Sequence, residues 1–363
     1  MKPFIPHNLP NEDLNWKPFR SQLGPANRSI ARFDGLLQSI PNPAVLLSPL
    51  TTKEAVLSSK IEGTQATLEE VLKYEADPKQ KTENYQDIRE IINYRKAINF
   101  AVEELKERPI TLRLLKEMHS MLLDSVRGKN KGPGQFRSTQ NWIGKPGTKI
   151  EEARFVPPSP LILQDGLNNF EKYLNFNDED TLVQVAIAHA QFEILHPFLD
   201  GNGRIGRIFI PLFLFSKGVL HTPMFYISGF LESNRDEYYD RLKAISDNND
   251  WENWIIFFLK AIEHQSIENT EKAKKVLSLY DEMKTKIVDI TRSQFALQAL
   301  DTLFNMPIFS STDFQKNSSI PKPSAIRILN SLKEANVISL FIEGKGNRPS
   351  IYVFFSLLDI VNE

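Results

Sequence analysis

Through most of its first 290 residues the chain repeats apolar side chains at intervals of three and four, a pattern that allows little besides packed helices. Between residues 84 and 107, Ile88, Ile91, Ile92, Ile98, Val102 and Leu105 trace one face of an amphipathic helix that must end before Pro109. Similar patterns cover 112–123, 161–174, 180–195, 204–215, 234–245 and 251 to about 286. Upstream, Thr51-Thr52-Lys53-Glu54 reads as a helix cap, and Thr67-Leu68-Glu69-Glu70 reads as a second start after Gly63. Residues 1–43 are spotted with prolines and are expected to wrap over a larger body. The glycine- and proline-rich stretch 128–158 is expected to be loop plus a small β-hairpin.

The tail changes character. Helical patterns at 293–304, from Ser311 and at 323–335 are followed by Val337-Ile338-Ser339-Leu340-Phe341, a turn at Gly344-Lys345-Gly346-Asn347, and Ile351-Tyr352-Val353-Phe354. Three helices and then a hairpin is winged-helix order. The expected organisation is mainly α, in three parts: 1–108, 109–290 and 291–363.

Counting excludes several functions. The 363 residues contain no cysteine, so disulfides, thiolate metal sites and cysteine nucleophiles are absent. With 44 basic against 45 acidic residues there is no global field favouring nucleic acid or an anionic membrane. The longest apolar run, from Ile208 to Phe215, is interrupted by Pro211 and is far short of a bilayer span. The N-terminus lacks the apolar stretch of a secretory signal, so the protein is expected to be soluble and cytoplasmic. The histidines show no His-Glu-x-x-His spacing that would suggest zinc. Two glycine-lysine runs, beginning at Gly128 and Gly144, miss the phosphate-loop spacing and read as turns.

The segment that carries chemistry is His196-Pro197-Phe198-Leu199-Asp200-Gly201-Asn202-Gly203-Arg204-Ile205-Gly206-Arg207, between two helical patterns. Gly201, Asn202 and Gly203 permit unusual backbone angles, so successive N–H groups can converge on an anion at the start of the following helix. Arg204 and Arg207 share one face of its first turn, an unfavourable place for cations unless an anion neutralises them. Asp200 offers a hard oxygen suited to Mg²⁺ on phosphates, and His196 is the group able to accept a hydroxyl proton near neutral pH. A lone histidine at a helix end is commonly a core residue. The cluster argues instead for transfer of a phosphorus-centred group to an alcohol.

These twelve residues resemble the signature of the Fic family, His-Pro-Phe-x-Asp/Glu-Gly-Asn-Gly-Arg-x-x-Arg, at every specified position. The resemblance implies a Fic-type helical bundle and protein adenylylation, in which AMP from ATP is moved to a Ser, Thr or Tyr hydroxyl and pyrophosphate leaves. It implies His196 as general base, Asp200 as the Mg²⁺ ligand, and Gly201, Asn202, Gly203, Arg204, Ile205, Gly206 and Arg207 as the nucleotide-binding run, with both arginines on the β/γ end. The segment 234–242 is similar to the part that forms the nucleotide-base wall in the family, with Tyr239 the preferred contact; Tyr238 and Tyr239 also suit simple packing between helices. The hairpin at 141–156 resembles the Fic flap, which holds a target segment by strand addition.

Ser58-Ser59-Lys60-Ile61-Glu62-Gly63 matches the family's inhibitory pattern. Ser58 and Glu62 are four apart on one helical face, which would let Glu62 pair with Arg207 as a bidentate carboxylate where the γ-phosphate should bind. Two other readings stay open: a hydrolase that uses Glu62 to orient water and removes AMP from a modified target, and a nucleotide-sensing DNA-binding regulator. DNA binding through Lys322, Arg327, Lys333, Lys345 and Arg348 is not favoured, because from Thr291 onward seven basic residues face six acidic ones. A homodimer is an expectation from the resemblance alone.

Overall fold

A computed structural model describes residues 2–79, 82–124, 129–144, 147, 149–345 and 348–363. Its helices, in chain order, begin with α1 (Arg20–Ser39), α2 (Pro43–Leu46), α3 (Ser48–Ile61), α4 (Leu68–Ala76), α5 (Tyr85–Glu104) and α6 (Leu112–Leu122). After a stretch with two short 3₁₀ turns come α7 (Pro160–Leu174), α8 (Thr181–Leu195), α9 (Asn202–Ser216), α10 (Ser228–Ser233), α11 (Arg235–Asn248) and the 41-residue α12 (Trp251–Thr291). The tail adds α13 (Ala296–Asn305), β1 (Ile308–Ser310), α14 (Ser311–Ser318), α15 (Lys322–Glu334), β2 (Ser339–Ile342), β3 (Ile351–Val353) and α16 (Phe355–Asn362).

Burial follows the apolar pattern. Nearly every residue of α8 from Leu182 to Leu195 is buried, which fits a helix that is apolar on all sides and surrounded by α7, α9, α11 and α12. α9 is likewise covered from Arg204 to Leu214. These two central helices meet at the loop 196–201, so the rigid centre of the fold presents the chemistry-bearing segment.

Several local expectations change. The N-terminal stretch holds a 20-residue helix, α1, whose Ala26, Ile30, Phe33 and Leu37 form a buried stripe against α12. Pro25 lies in its second turn, where it removes one i→i−4 backbone hydrogen bond. α3 begins at Ser48, so Thr51-Thr52-Lys53-Glu54 is inside the helix and is no cap; Glu54 instead caps α10, accepting from the Ser228 N–H and hydroxyl. The start at Thr67 does form a capping box with Glu70. Gly63, at φ +98°, supplies the left-handed turn between α3 and α4.

The expected hairpin at 141–156 narrows to one bridge, Ile143 with Phe155, followed backwards by the 3₁₀ turn Ile150–Glu152. Regular pairing occurs in the tail, as an antiparallel sheet ordered β1-β3-β2 with Phe309 opposite Tyr352 and Leu340 opposite Tyr352. A bulge at Phe341 brings its ring under Lys73 of α4, 4.2 Å from the ring centre. β1 and α16 had no clear sequence pattern: β1 is three fully buried residues, too short to alternate. Gly128, Lys145, Pro146 and Thr148, with Gly346 and Asn347 of the expected turn, lie outside the described residues.

Candidate active site

The loop between α8 and α9 is held by bonds to its backbone. His196 closes α8 in the left-handed region (φ 44°, ψ 59°). The carbonyls left over at this helix end are taken by buried Arg137, which donates to the carbonyls of His196 (2.9 Å), Leu195 (3.2 Å) and, across the loop, Pro158 (2.6 Å). The Arg137 N–H also reaches the Pro197 carbonyl. Asn202 grips Phe198 from the other side, accepting its N–H at 2.8 Å and donating to its carbonyl at 2.9 Å. The Phe198 ring is fully buried, stacked on His119 at 3.7 Å.

His119 fixes the third corner. Gly134 N–H donates to its Nδ1, so Nε2 carries the proton and donates to the Asp200 carbonyl at 2.9 Å. Burial pushes this imidazole down to about 4, so it stays neutral. Sequence reasoning passed over Arg137 and His119, because neither stands at a recognisable spacing from His196.

At the head of α9, Gly201 takes φ +77° and the first-turn N–H groups of Asn202, Gly203 and Arg204 have no carbonyl of their own helix to bond. A Cβ on Gly203 would lie 2.2 Å from Glu62 Oε1, so the Glu62 carboxylate rests directly against this glycine, beside the first turn of α9. Arg207 Nη2 donates to the same oxygen at 2.6 Å. The pair is not bidentate: Nε donates to Ser58 Oγ (2.9 Å) and Nη2 also to the Ser58 carbonyl (2.8 Å), so Ser58 shares the guanidinium with Glu62. Burial raises the Glu62 carboxyl pKa, but Arg207, Arg204 and His196 outweigh it and hold the group below its ordinary value.

Arg204 behaves otherwise. Its Nη1 donates to Glu90 Oε2 of α5 at 2.6 Å, and Asp200 Oδ1 lies 3.4 Å from Nη2. The glutamate at 90 was not foreseen as a partner. Asp200 keeps a half-exposed carboxylate beside the nest, with Oδ1 accepting the Gly201 N–H at 2.6 Å.

His196 has its Nδ1 buried and facing the Glu193 backbone. Burial lowers it to about 4 against the opposing pull of Glu62, so the ring is neutral at pH 7 and able to accept a proton. Of the remaining sequence candidates, Ile205 is fully buried in the core and Gly206 turns its carbonyl to His189 Nδ1 at 3.0 Å. The Cβ position of Gly206 is occupied by Glu193 Oε1, a carboxyl that burial pushes up to about 8. Tyr238 is a core residue, its hydroxyl donating to His189 Nε2. Tyr239 is half-buried and lines a small cavity with Ile143, Phe155, Arg154 and Glu193, between α11 and the single bridge.

Known proteins share the sequence pattern and the fold. The description Fic/DOC family N-terminal applies to residues 20–103 and Fic/DOC family to residues 109–214, together more than half of the chain. The chain belongs to the Fic family. A Fic family protein from Desulfovibrio desulfuricans G20 shares the fold over 97% of this chain and 98% of its own, with a TM-score of 0.57 at 18% identity. Fic-1 from C. elegans does so over 70% and 72%, with a TM-score of 0.51 at 21% identity. In sequence, the "Probable protein adenylyltransferase" of Aquifex aeolicus is 26% identical over 246 residues, 65% of this chain and 68% of that protein. The "Protein adenylyltransferase Fic" of Drosophila melanogaster is 30% identical over 146 residues, 39% of this chain and 26% of its own length. The described part of this Fic chain has no helix long and apolar enough to cross a membrane.

Proposed function

We propose that this Fic protein is a protein adenylyltransferase that moves AMP from ATP to a serine, threonine or tyrosine hydroxyl of a protein target, and that Glu62 restrains it. The observation that carries the reading is a carboxylate resting against Gly203 at the head of α9 and paired with Arg207. An anion already fits where the terminal phosphates would lie. The relatives named protein adenylyltransferase support the same reaction class.

On this reading His196, neutral above a pH of about 4, takes the proton of the target hydroxyl. The hydroxyl oxygen bonds to the α-phosphorus, the bond from that phosphorus to its bridging oxygen breaks, and pyrophosphate leaves with the electron pair. The first-turn N–H groups of α9 hold phosphate oxygens. Arg207 binds the γ end once Glu62 has withdrawn, and Tyr239 borders the base. Asp200, a hard and half-exposed donor at the rim of the nest, suits Mg²⁺ held mainly by the nucleotide; when bound, that ion neutralises phosphate charge. With Glu62 in place the triphosphate is displaced, and a small displacement of the α-phosphorus from the line of attack costs orders of magnitude in rate.

We also read residues 291–363 as a winged helix that contacts protein rather than DNA, within the division 1–108, 109–290 and 291–363. Its basic wing is engaged inside the chain, with Arg348 donating to Asp77 of the α4 end at 2.8 Å.

Incubating wild type, Glu62→Gly and His196→Ala with α-labelled and γ-labelled ATP, followed by intact mass, tests the function. The α label should enter Glu62→Gly as one AMP, enter wild type weakly, and not enter His196→Ala. Retention of the γ label would overturn nucleotidyl transfer, and equal labelling of Glu62→Gly and wild type would remove the brake.

A further inference from the structure

α3 has two working halves. Ser58 and Glu62 at its C-terminal end turn toward Arg207, while Ser48, Thr51 and Glu54 of its first half line the wall of a separate cavity of about 440 Å³. That volume lies within the range of small-molecule sites. The opposite walls come from Tyr94, Ile98 and Val102 of α5, from residues 222–226, and from Asn305 at the end of α13. Three parts of the chain thus meet around one void.

The lining is amphipathic and its polarity is one-sided. Ile98, Val102, Pro211, Pro223, Met224 and Phe225 make an apolar bed. The charged groups are mostly acidic, the Glu54 and Glu103 carboxylates; Glu54 already accepts from Ser228, the Tyr226 hydroxyl bonds Thr51 Oγ1, and Thr222 Oγ1 is buried with no hydrogen-bond partner. Arg95, the basic residue of the wall, is already bound by both oxygens of Glu75, at 2.9 and 2.8 Å. Glu54 is itself 4% exposed, and burial lifts its carboxyl to about 7 against the pull of Ser228 and Arg207. A buried carboxyl in that condition gains most from an added cation.

We infer that this cavity binds a small organic ammonium with a short aliphatic body, its charge on Glu54 and its stem on the Ile98 and Met224 side, and that occupancy fastens α3 in its present position. The physical reason is geometric: α3 supplies one wall and α5 the other, so a ligand bridging them favours the arrangement in which both stand. Glu62 is two turns along the same rigid helix from Glu54. Ammonium binding therefore reinforces the Glu62–Arg207 contact. The binding claim stands on the cavity alone, whereas its effect on activity rests on the restraint proposed above.

The probe is n-butylammonium at neutral pH, with 1-butanol as the uncharged control and the full-length chain throughout. Butylammonium should raise the unfolding temperature of wild type, and butanol should not. Glu54→Gln keeps a partner for Ser228 while removing the charge, and Ala44→Trp plugs the exposed rim; each should abolish the shift. The labelling of wild type by ATP should fall roughly tenfold at saturating amine, the usual scale of coupling between sites. Glu62→Gly should keep the thermal shift and lose the effect on labelling. No shift in wild type, an equal shift with butanol, or an undiminished shift in both cavity variants overturns the site. A shift without any change in wild-type labelling overturns the coupling. Absence of labelling in every variant, with the shift intact, would count against the function and leave the site standing.

Discussion

Arg204 and Arg207 stand one turn apart on α9 and end in unlike surroundings. Arg204 pairs with Glu90 from the second turn of α5, and both side chains are under a tenth exposed, at 6% and 9%. Arg207 is more deeply buried, yet its partner Glu62 caps the end of α3 and is one-third exposed. A pair buried on both sides can break only by opening the packing around it. A pair whose carboxylate sits at a helix end beside solvent can open locally, and Ser58 still holds the arginine when it does. The first is a fastening of the fold; the second has the build of a switch.

The largest effect should separate them at the level of stability. Glu90→Ala leaves buried Arg204 with only the half-exposed Asp200 at 3.4 Å and should lower unfolding free energy by about 3 kcal/mol, read by denaturant titration. Glu62→Gly should cost about 1 kcal/mol, since the pair is partly exposed and Ser58 remains. Equal losses in the two variants would erase the distinction.

Next in size is activity. Glu62→Gly should increase incorporation of α-labelled AMP about a hundredfold, the scale of a misplaced reacting group put right. ATP should also raise its unfolding temperature by more than it raises that of wild type. An Arg204 partner swap such as Glu90→Gln should produce no such gain.

The smallest effect is the response to acid. Because the Glu62 carboxyl titrates below its ordinary 4.5 in the folded chain, its contribution is complete above that value and fades as pH falls through the folded one. The stability gap between wild type and Glu62→Gln should therefore be constant at neutral pH and close in acid. Labelling by Glu62→Gly should likewise stay level through neutral pH and drop only in acid, since loss of the Glu62 charge moves the His196 imidazole further down from its value of about 4. A fall already at pH 6 would count against a neutral buried imidazole.

How much of this was readable beforehand differs by residue. Helices α5 to α9 follow from apolar spacing, and three helices and two strands of the tail follow from helix patterns ending in a hairpin, whereas β1 and α16 do not. The glycine nest was legible because backbone freedom at Gly201 is a local property of the chain. Partner choice was not. Glu90 lies 114 residues from Arg204 and Arg137 lies 59 from His196, so only tertiary packing pairs them. Ser58 and Glu62 were found because four-residue spacing places them on one face. The division of Arg207 between them depends on rotamers that no spacing encodes. α1 was hidden by Pro25, whose cost in the second turn is outweighed by the stripe it precedes.

α12 runs unbroken for 41 residues, about 60 Å. Near its start Trp254 donates to the Ala186 carbonyl of α8; further on, Tyr280 bonds Asp301 of α13, and Met283 and Ile287 are buried where the tail packs. One beam thus serves as joist for the reaction centre and as mooring for the last seventy residues. Shearing the chain after Thr291 would turn that mooring into a bare greasy flank, so the shortened product should clump even though the whole candidate site is still aboard.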